Sequence, residues 1–419
     1  METIRRVETP TTRIDAEKIP RVPFRGSFFQ RPFFGDLGER AKQERPRFVA
    51  KYPLSDAMGD IMRAIIPFQD GETAPEKAPE TDSPEEMAKH IKSLAYFLDM
   101  DIVGICKIPD YAWYSHDADG KEITPYHRYA IVMLIDQGFE TMEGASGDDW
   151  ISGTQSYRAY LRGAEVGSVI AGYIRRLGYG ARCQSAADGH VLQLPLMLLS
   201  GLGELSRIGE LVLNPFIGPR SKTVVVTTDL PLTCDKPIDF GLQKFCEKCS
   251  KCARECPCGA IPFGPKIMFN GYETWKPDVE NCAKYRITNQ KGAACGRCMK
   301  TCPLNALTGL DTPLLHRFAC KMGLRFPFLV PLVQKLDDWL RRGSIVADQK
   351  WWLDHETVDD KIVKPSGVNT RGIHPEKGKP KNQRIALYPA EDLPPGDSKA
   401  PFPTDRKKAL KRTEDVETP

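Results

Sequence analysis

The sequence predicts a layered α/β or α+β domain that is followed by a short cysteine-rich domain. Between residues 84 and 233, segments with strand composition alternate with segments of helical periodicity. Directly after them, eight of the 13 cysteines have the spacing of metal ligands. We therefore expect four parts, listed in chain order: an N-terminal arm at 1–80, the layered core at 81–235, the cysteine-rich domain at 236–310, and a helical segment with a loose tail at 311–419.

The first 80 residues predict an extended arm that lies over a larger body. This part of the chain is rich in proline, arginine and phenylalanine, and its aromatic residues follow neither a helical nor a strand period. The alternative interpretation is partial disorder. The aromatic cluster consists of Phe24, Phe28, Phe29, Phe33 and Phe34.

The core begins with a helix whose start is marked by three adjacent signals. Ser83 provides a capping oxygen, Pro84 fits the first turn, and acidic residues follow. Apolar and β-branched runs then predict further elements in alternation. The predicted strands lie at 101–106, 129–136, 180–183 and 223–228, and the predicted helices at 84–98, 154–177 and 191–200.

The cysteine-rich stretch has the spacing of a bacterial ferredoxin. The run from Cys246 to Pro257 reads C-x2-C-x2-C-x3-C-P, and the run from Cys295 to Pro303 reads C-x2-C-x3-C-P. The second run is one cysteine short, and Cys282 is the candidate replacement. Because the fourth cysteine of such a run ligates the other cluster, two [4Fe–4S] clusters are predicted. Cluster 1 would take Cys246, Cys249, Cys252 and Cys302, and cluster 2 would take Cys256, Cys282, Cys295 and Cys298. A zinc site is the alternative.

Composition and charge narrow the partners and the compartment. A formal charge of +4 over 419 residues gives no support for a nucleic-acid partner. No apolar run reaches the ~18 residues of a membrane span. The pair Arg5 and Arg6 is followed by polar residues instead of the apolar stretch of an export signal. Together with the absence of a disulfide pattern, this predicts a reducing, cytoplasmic location.

Two clusters predict single-electron transfer, and the core is expected to hold the acceptor. The core contains neither a glycine-rich dinucleotide fingerprint nor a phosphate-binding loop. Another redox cofactor is therefore needed. A corrinoid-free electron carrier of the ferredoxin type is the alternative from a different functional class.

Four stretches of the core occur in a recognisable order before the cysteine runs. They are residues 173–179 (YIRRLGY), 195–209 (PLMLLSGLGELSRIG), 215–220 (PFIGPR) and 227–232 (TTDLPL). In this order they resemble the corrinoid and iron–sulfur reductive dehalogenases. The resemblance covers about residues 84–310 and implies a nitroreductase-like, cobalamin-binding core with base-off cobalamin. It also implies reductive removal of halide from an organohalide, with electrons entering at the Cys256 cluster and leaving from the Cys246 cluster.

The sequence is more similar to the soluble catabolic members that act on halogenated phenols than to the respiratory members. Ala186 stands where respiratory members carry an asparagine. Catabolic members usually carry a fused reductase module, which does not follow here, so a separate ferredoxin or flavin reductase is the expected electron donor. An epoxyqueuosine reductase acting on tRNA has the same cofactors and is the closest alternative enzyme.

The resemblance also assigns three site residues. Tyr160 takes the position of the proton-donating tyrosine, and Lys222 that of its basic partner. Arg286 would hold a phenolate substrate with its forked donors. Each has a structural alternative: a packed helix tyrosine with Tyr157 as the donor instead, a solvated loop lysine, and an arginine that pairs with the clusters. Arg220 is expected to be structural or to contact a side chain of the corrinoid. The glycines of the 201–203 turn and Gly218 would allow close approach of the backbone to the amides of the corrin.

Overall fold

The structure is a computed structural model that describes residues 4–306 and 313–416. The elements below are numbered along the chain, and short 3-10 turns connect several of them. The α-helices of the described residues are α1 (Glu39–Glu44), α2 (Pro53–Ile65), α3 (Pro84–Phe97), α4 (Phe139–Gly144), α5 (Ile151–Arg176), α6 (Gln193–Leu199), α7 (Leu242–Lys248), α8 (Lys251–Arg254), α9 (Val279–Thr288), α10 (Arg297–Lys300), α11 (Leu314–Arg325), α12 (Val330–Trp339) and α13 (Arg406–Val416). The β-strands are β1 (Arg5–Arg6), β2 (Ile102–Lys107), β3 (Tyr129–Asp136), β4 (Ala181–Gln184), β5 (Glu204–Leu205), β6 (Val212–Leu213), β7 (Ser221–Thr228), β8 (Ile238–Asp239), β9 (Ile267–Phe269), β10 (Tyr272–Thr274), β11 (Glu356–Val358) and β12 (Lys361–Val363).

The core is a four-stranded sheet with apolar layers on both faces. Its strand order is β2-β3-β7-β4, and every neighbouring pair is antiparallel. Because side chains alternate along a strand, β3 serves two cores at once. Ile131 and Met133 face the layer with α3 and α5, whereas Val132 and Leu134 face the layer with α6. The layered prediction is confirmed, and the antiparallel pairing makes the core α+β.

The predicted elements of the core are found close to their predicted bounds. Ser83 caps α3, since its hydroxyl accepts a hydrogen bond from the Glu86 amide at 3.3 Å. Strand β3 has the bounds that the sequence predicts. Helix α5 begins at Ile151, three residues before its predicted start, and Gly178 follows its end with a φ of +84°.

Helix α5 lies close against the sheet because its facing positions are small. An added Cβ at Gly163 would lie 3.0 Å from Val224 Cβ, and one at Gly167 would lie 2.6 Å from Cys183 Sγ. The helix therefore cannot accept larger side chains there without moving away from β7. This close packing holds Tyr160, in the first half of α5, near Lys222 at the start of β7.

The cysteine-rich part is built from short elements and two covering helices. Helices α7, α8 and α10 each follow or contain cysteine ligand candidates, and β9 pairs with β10 in a small antiparallel hairpin. Helices α11 and α12 pack on α7 and on the 3-10 turn at Pro303–Ala306. The predicted boundary between 310 and 311 lies outside the described residues.

The N-terminal arm differs from the extended segment that the sequence predicts. It contains α1 and α2, and α2 packs along α5. Phe28, Phe29 and Phe48 form one apolar cluster with Ala283 and Ile287 of α9. The aromatic residues lack a period because they lie in two short 3-10 turns and in the irregular segment between them, and they face different parts of the molecule.

The C-terminal tail is more tightly packed than predicted. Ala386 and Tyr388 are buried against Ala409 of α13. The Arg406 guanidinium pairs with Asp278 at 2.7 Å and with Glu280 at 2.8 Å, next to and within the first turn of α9. Buried ion pairs compensate for the few large apolar residues of this segment. Over the described ranges, no helix has both the length and the hydropathy needed to cross a bilayer.

Candidate active site

The predicted ligands of cluster 1 lie around one cavity. Phe245, Leu213 and Leu304 form its apolar wall. Arg207 supports its rim, since the guanidinium donates to the carbonyl oxygens of Cys246 at 2.8 Å and Pro262 at 2.9 Å. The lining cysteines are Cys246, Cys249, Cys252 and Cys302.

The predicted ligands of cluster 2 are neighbours in a second apolar group. Cys256, Cys282 and Cys298 pack together with Ala260 and Ile261. Cys295 lies close enough to Cys282 and Cys298 for their charges to contribute to its raised pKa. A further cysteine is present that the spacing alone did not identify: Cys258 Sγ lies 3.8 Å from Cys256 Sγ. Because Cys258 follows Pro257 outside the ferredoxin spacing, only the folded chain places it here.

The thiols of both groups fit iron–sulfur clusters chemically. All of them are free cysteines. Burial raises the pKa of Cys246 to about 12, of Cys249 to about 11 and of Cys298 to about 12. A buried thiolate is stable only beside a positive charge, and iron supplies that charge when it is bound. The apolar walls and the sulfur donors are those that such clusters use.

Tyr160, Lys222 and Arg286 come together from three separate elements. Tyr160 lies on α5, Lys222 is the second residue of β7, and Arg286 lies on α9. The Lys222 ammonium lies 5.1 Å from the centroid of the Tyr160 ring. All three side chains are half-buried. The predicted site residues are therefore neighbours at the junction of the core and the cysteine-rich part.

The two cations make Tyr160 a stronger acid than an ordinary tyrosine. Burial alone raises the pKa of Tyr160, but the charges of Lys222 and Arg286 and a hydrogen bond with Lys222 outweigh it and lower the pKa. Tyr157, the alternative donor, differs. Burial raises the pKa of Tyr157, and the nearby arginines reverse this only in part. Tyr157 packs against the apolar cluster that contains Phe48 and Ile287.

Within residues 4–306 and 313–416, neither cation of this centre has a carboxylate partner. Among the described residues, no ion pair involves Lys222 or Arg286. Arg286 Nε is buried without a hydrogen-bond partner, and the guanidinium lies 4.5 Å from the centroid of the Phe29 ring. Half-buried charges without a counter-ion are costly. The site therefore fits an anionic ligand that accepts hydrogen bonds.

Arg220 and the turn glycines have structural roles. The Arg220 Nε donates to Asp136 at 2.9 Å, and its Nη1 donates to the carbonyl of Asn305, which ties the sheet to the cysteine-rich part. An added Cβ at Gly218 would collide with the Leu304 carbonyl, and one at Gly201 with the Lys236 carbonyl. Glycine is therefore required at both positions by packing of the protein itself, and close approach of these glycines to a corrin stays a prediction.

A corrinoid fits the remaining chemistry of the site. Tyr160, Lys222 and Arg286 can hold charge and protons but cannot supply electrons, so any redox chemistry at this centre would need a separate redox group. Three buried polar atoms in the parts of the described chain that adjoin this centre have no hydrogen-bond partner: Trp150 Nε1 and Gln155 Oε1 at the start of α5, and Asn305 Nδ2 beside Arg220. Such donors and acceptors suit the amide groups on the rim of a corrin.

Comparisons with known proteins give consistent matches. The model of the 4Fe-4S dicluster domain family matches residues 245–306. The tetrachloroethene reductive dehalogenase of Desulfitobacterium hafniense is 32% identical over 232 residues, which cover 52% of this chain and 40% of that protein. The enzyme of the same name from Sulfurospirillum multivorans is 28% identical over 307 residues, 64% of this chain and 59% of that protein.

The chain also superposes on solved structures over nearly its whole length. A catabolic reductive dehalogenase matches with a TM-score of 0.94 and 48% identity, covering 99% of this chain and 61% of that chain. The same protein in complex with 3-bromo-4-hydroxybenzoic acid matches equally well and is covered to 60%. The chain thus spans less than two thirds of the length of each of these relatives.

Proposed function

We propose that this chain, a homologue of the corrinoid and iron–sulfur reductive dehalogenases, removes halide from a halogenated aromatic of the halophenol type. The observation that carries the proposal is that two cations, Lys222 and Arg286, lie around Tyr160 and pair with no carboxylate of the described residues. A phenolate supplies the missing negative charge. The relative crystallised with a bromohydroxybenzoic acid supports an aromatic ligand of this kind.

The reaction consumes two electrons and one proton for each halide. The carbon–halogen bond breaks, a carbon–hydrogen bond forms, and the halogen leaves as halide. Base-off cobalamin, when bound, supplies the electron pair at the carbon–halogen bond, and two [4Fe–4S] clusters supply the electrons that renew it. The protein must then bind the aromatic, deliver the proton and exclude water.

Arg286 binds and orients the substrate in this account. Its planar guanidinium has several donors, which suit a phenolate or a carboxylate oxygen. Packing against Phe29 fixes the plane of the guanidinium. The aromatic cluster of the arm also covers α9 and limits the access of water to this side of the site.

Tyr160 provides the proton that the carbon receives. The lowered pKa of Tyr160 makes its hydroxyl a stronger proton donor to an aryl carbanion or radical anion than an ordinary tyrosine would be. Lys222 stabilises the phenolate that remains on Tyr160 after the transfer. Solvent then restores the proton before the next turnover.

The electron donor belongs to the same proposal. A separate ferredoxin or flavin reductase would deliver the electrons to the cysteine-rich part. Sequential one-electron delivery suits two clusters that each change by one electron.

The test is a halide-release assay with holoprotein reconstituted anaerobically with iron, sulfide and cobalamin. A panel of bromophenols is supplied with titanium(III) citrate as reductant, and released bromide is measured. We expect bromide and the debrominated phenol in equal amounts. Protein that carries both cofactors but releases no bromide from any of the phenols would contradict the proposal.

A further inference from the structure

Helices α11 and α12 form a thin wall over the cluster 1 cavity. Cys320 of α11 is buried, and its Sγ lies 3.5 Å from the carbonyl oxygen of Pro303, the residue after Cys302. An added Cβ at Gly323 would lie 3.0 Å from the ring of Phe245, which lines the cavity. Since packed helices lie about 8–10 Å apart, one layer of helix separates the cavity from solvent.

The outer faces of these two helices are unusually apolar. Phe318 of α11 is 61% exposed, and on the α12 side Phe328, Leu332 and Trp339 are 75%, 64% and 76% exposed. The three residues on the α12 side recur at helical spacing, so they form one stripe. Both helices pack inward on α7, so both outer faces point to the same side. Large exposed apolar faces of this kind mark interaction surfaces.

The same face is positively charged. Lys321 and Arg325 continue the exposed row of α11, and Lys335 lies within the stripe of α12. None of the three takes part in an ion pair among the described residues. The acidic residues of α12 point inward: Asp337 pairs with Lys251, and Asp338 pairs with Arg254 at 2.6 Å. No exposed carboxylate therefore lies between residues 313 and 340.

We propose that the outer face of α11 and α12 is the docking surface for an acidic one-electron carrier protein of the ferredoxin or flavodoxin class. The inference rests on the proposed function and locates its electron donor. Acidic residues of the carrier would meet Lys321, Arg325 and Lys335, and its apolar rim would cover Phe328 and Trp339. Two successive dockings would each oxidise one carrier by one electron, which provides the two electrons used for each halide.

The position of this face also orders the two groups of cysteines. Cys282 and Arg286 lie one helical turn apart on α9, and Arg286 is close enough to Tyr160 for its charge to lower the pKa of the tyrosine. The cluster 2 cysteines are therefore the nearer group to Tyr160, whereas the cluster 1 cavity lies beneath the docking face. Electrons would enter on the Cys246 side, which reverses the order that the sequence suggested.

Two other occupants fit the face less well. In a symmetric dimer built on it, the cationic rows of two copies would face each other and repel. An anionic lipid surface suits the cations and the exposed aromatics, but lipid would block the thin wall over the cavity. Only a carrier protein explains why the charged apolar face lies where the cavity approaches solvent.

The test compares two triple variants of the holoprotein. The first, Lys321→Glu/Arg325→Glu/Lys335→Glu, reverses the charge of the docking face. The control, Lys121→Glu/Lys361→Glu/Lys364→Glu, reverses the charge of three exposed lysines elsewhere, so the two variants have the same net charge. The probe is a reduced, acidic plant-type ferredoxin at low ionic strength. Its affinity is measured by calorimetry, and the bleaching of cluster absorbance is followed by stopped flow. Titanium(III) citrate serves as a small reductant that needs no docking.

We expect the docking-face variant to bind ferredoxin at least about 30-fold more weakly and to be reduced by it more slowly by a similar factor. The control variant should change by less than about threefold, and titanium(III) should reduce all forms alike. Equal ferredoxin binding by the two variants would overturn the inference. The inference would also be overturned if dimerisation of the protein, or its binding to anionic vesicles, required the three cations of this face while ferredoxin binding did not. If the unaltered protein released no bromide when titanium(III) supplied the electrons, that result would instead contradict the proposed function.

Discussion

The cysteine-rich part and the Tyr160 centre are adjacent but are built in opposite ways. The candidate cluster ligands lie in one stretch of sequence, between residues 246 and 302, and are packed in apolar surroundings. Burial raises the pKa of most of them, as at Cys246 and Cys298, whereas a hydrogen bond with Cys258 lowers the pKa of Cys256. The Tyr160 centre draws its residues from α5, β7 and α9, is half-buried, and has a lowered pKa at its tyrosine. The cysteine-rich part needs positive charge from a cofactor to stabilise its thiolates, whereas the Tyr160 centre has positive charge that can bind an anionic substrate.

This contrast explains how one small protein can keep electrons and protons apart. Buried thiols in apolar walls hold a redox group and exclude water. Cations that lack a carboxylate partner hold an anion and support proton release from a neighbouring acid. Variants can separate the two roles, because a change in either region should leave the other intact.

The largest effect is expected from removing a cluster ligand. Cys302→Ala removes the cluster 1 ligand that lies farthest along the chain from the others. We expect iron to fall from about eight to about four atoms per chain and bromide release to fall more than about 10³-fold. Iron analysis and electron paramagnetic resonance measure the change.

Cys234→Ser is the matched control, since Cys234 packs against the core and not around either group. It should keep its full iron content. If Cys302→Ala also kept full iron, the assignment of ligands to the two clusters would be wrong.

The next largest effect should come from Tyr160→Phe, which removes only the proton donor. General acid catalysis is worth about 10²–10⁴-fold, so kcat should fall by that factor while iron and cobalamin contents stay unchanged. Tyr157→Phe, one turn earlier on α5, removes a hydroxyl of raised pKa and should cost less than about threefold. Comparable losses in the two variants would abolish the distinction between these tyrosines.

Lys222→Met should lower kcat by about 10–100-fold and shift the pH profile. Tyr160 donates only when it is protonated, so activity falls as pH rises through its pKa. Lys222 lowers that pKa, and its removal must raise it. The alkaline limb of the kcat profile therefore moves to higher pH. An alkaline limb that stays in place, or moves to lower pH, would show that another group titrates.

Arg286→Gln should act mainly on substrate binding. A charge-assisted hydrogen bond contributes about 1.5–3 kcal/mol, so KM should rise about 10-fold or more with a smaller change in kcat. Steady-state kinetics with one bromophenol at several pH values measures both parameters. A loss confined to kcat would place Arg286 in the chemical step instead.

The smallest effect is expected from Phe29→Ala. The ring holds the Arg286 guanidinium at 4.5 Å, and such contacts are worth about 0.5–2 kcal/mol. KM should rise a few-fold, and the pH profile should keep its shape. Phe33→Ala, at an exposed ring of the same arm, provides the comparison. An equal effect of both would indicate general loosening of the arm.

The two regions also differed in how far the sequence could predict them. Ferredoxin ligands follow a local spacing rule, so candidate ligands between Cys246 and Cys302 could be proposed from the chain alone, and the comparisons confirm a dicluster domain there. The resemblance to reductive dehalogenases and the layered α+β fold are also confirmed. Strands such as β3 were predicted well because a buried central strand is a continuous apolar run.

What the sequence could not provide depends on distant contacts. The pKa difference between Tyr160 and Tyr157 arises from charges on β7, α9 and the arm, which no local pattern encodes. The packing of Phe29 on Arg286 needs the folded arm, and the position of Cys258 beside Cys256 needs the turn after Pro257. The roles of Tyr160, Lys222 and Arg286 stay predictions until they are measured.

The most direct test of the account is the affinity of the oxidised holoprotein for a dibromophenol that is ionised at neutral pH, compared with its methyl ether. Titration calorimetry measures both without turnover. If Lys222 and Arg286 hold an anion beside Tyr160, the phenolate should bind at least about 30-fold more tightly than the ether, and Arg286→Gln should remove most of the difference. Equal affinities for the two ligands would contradict the account.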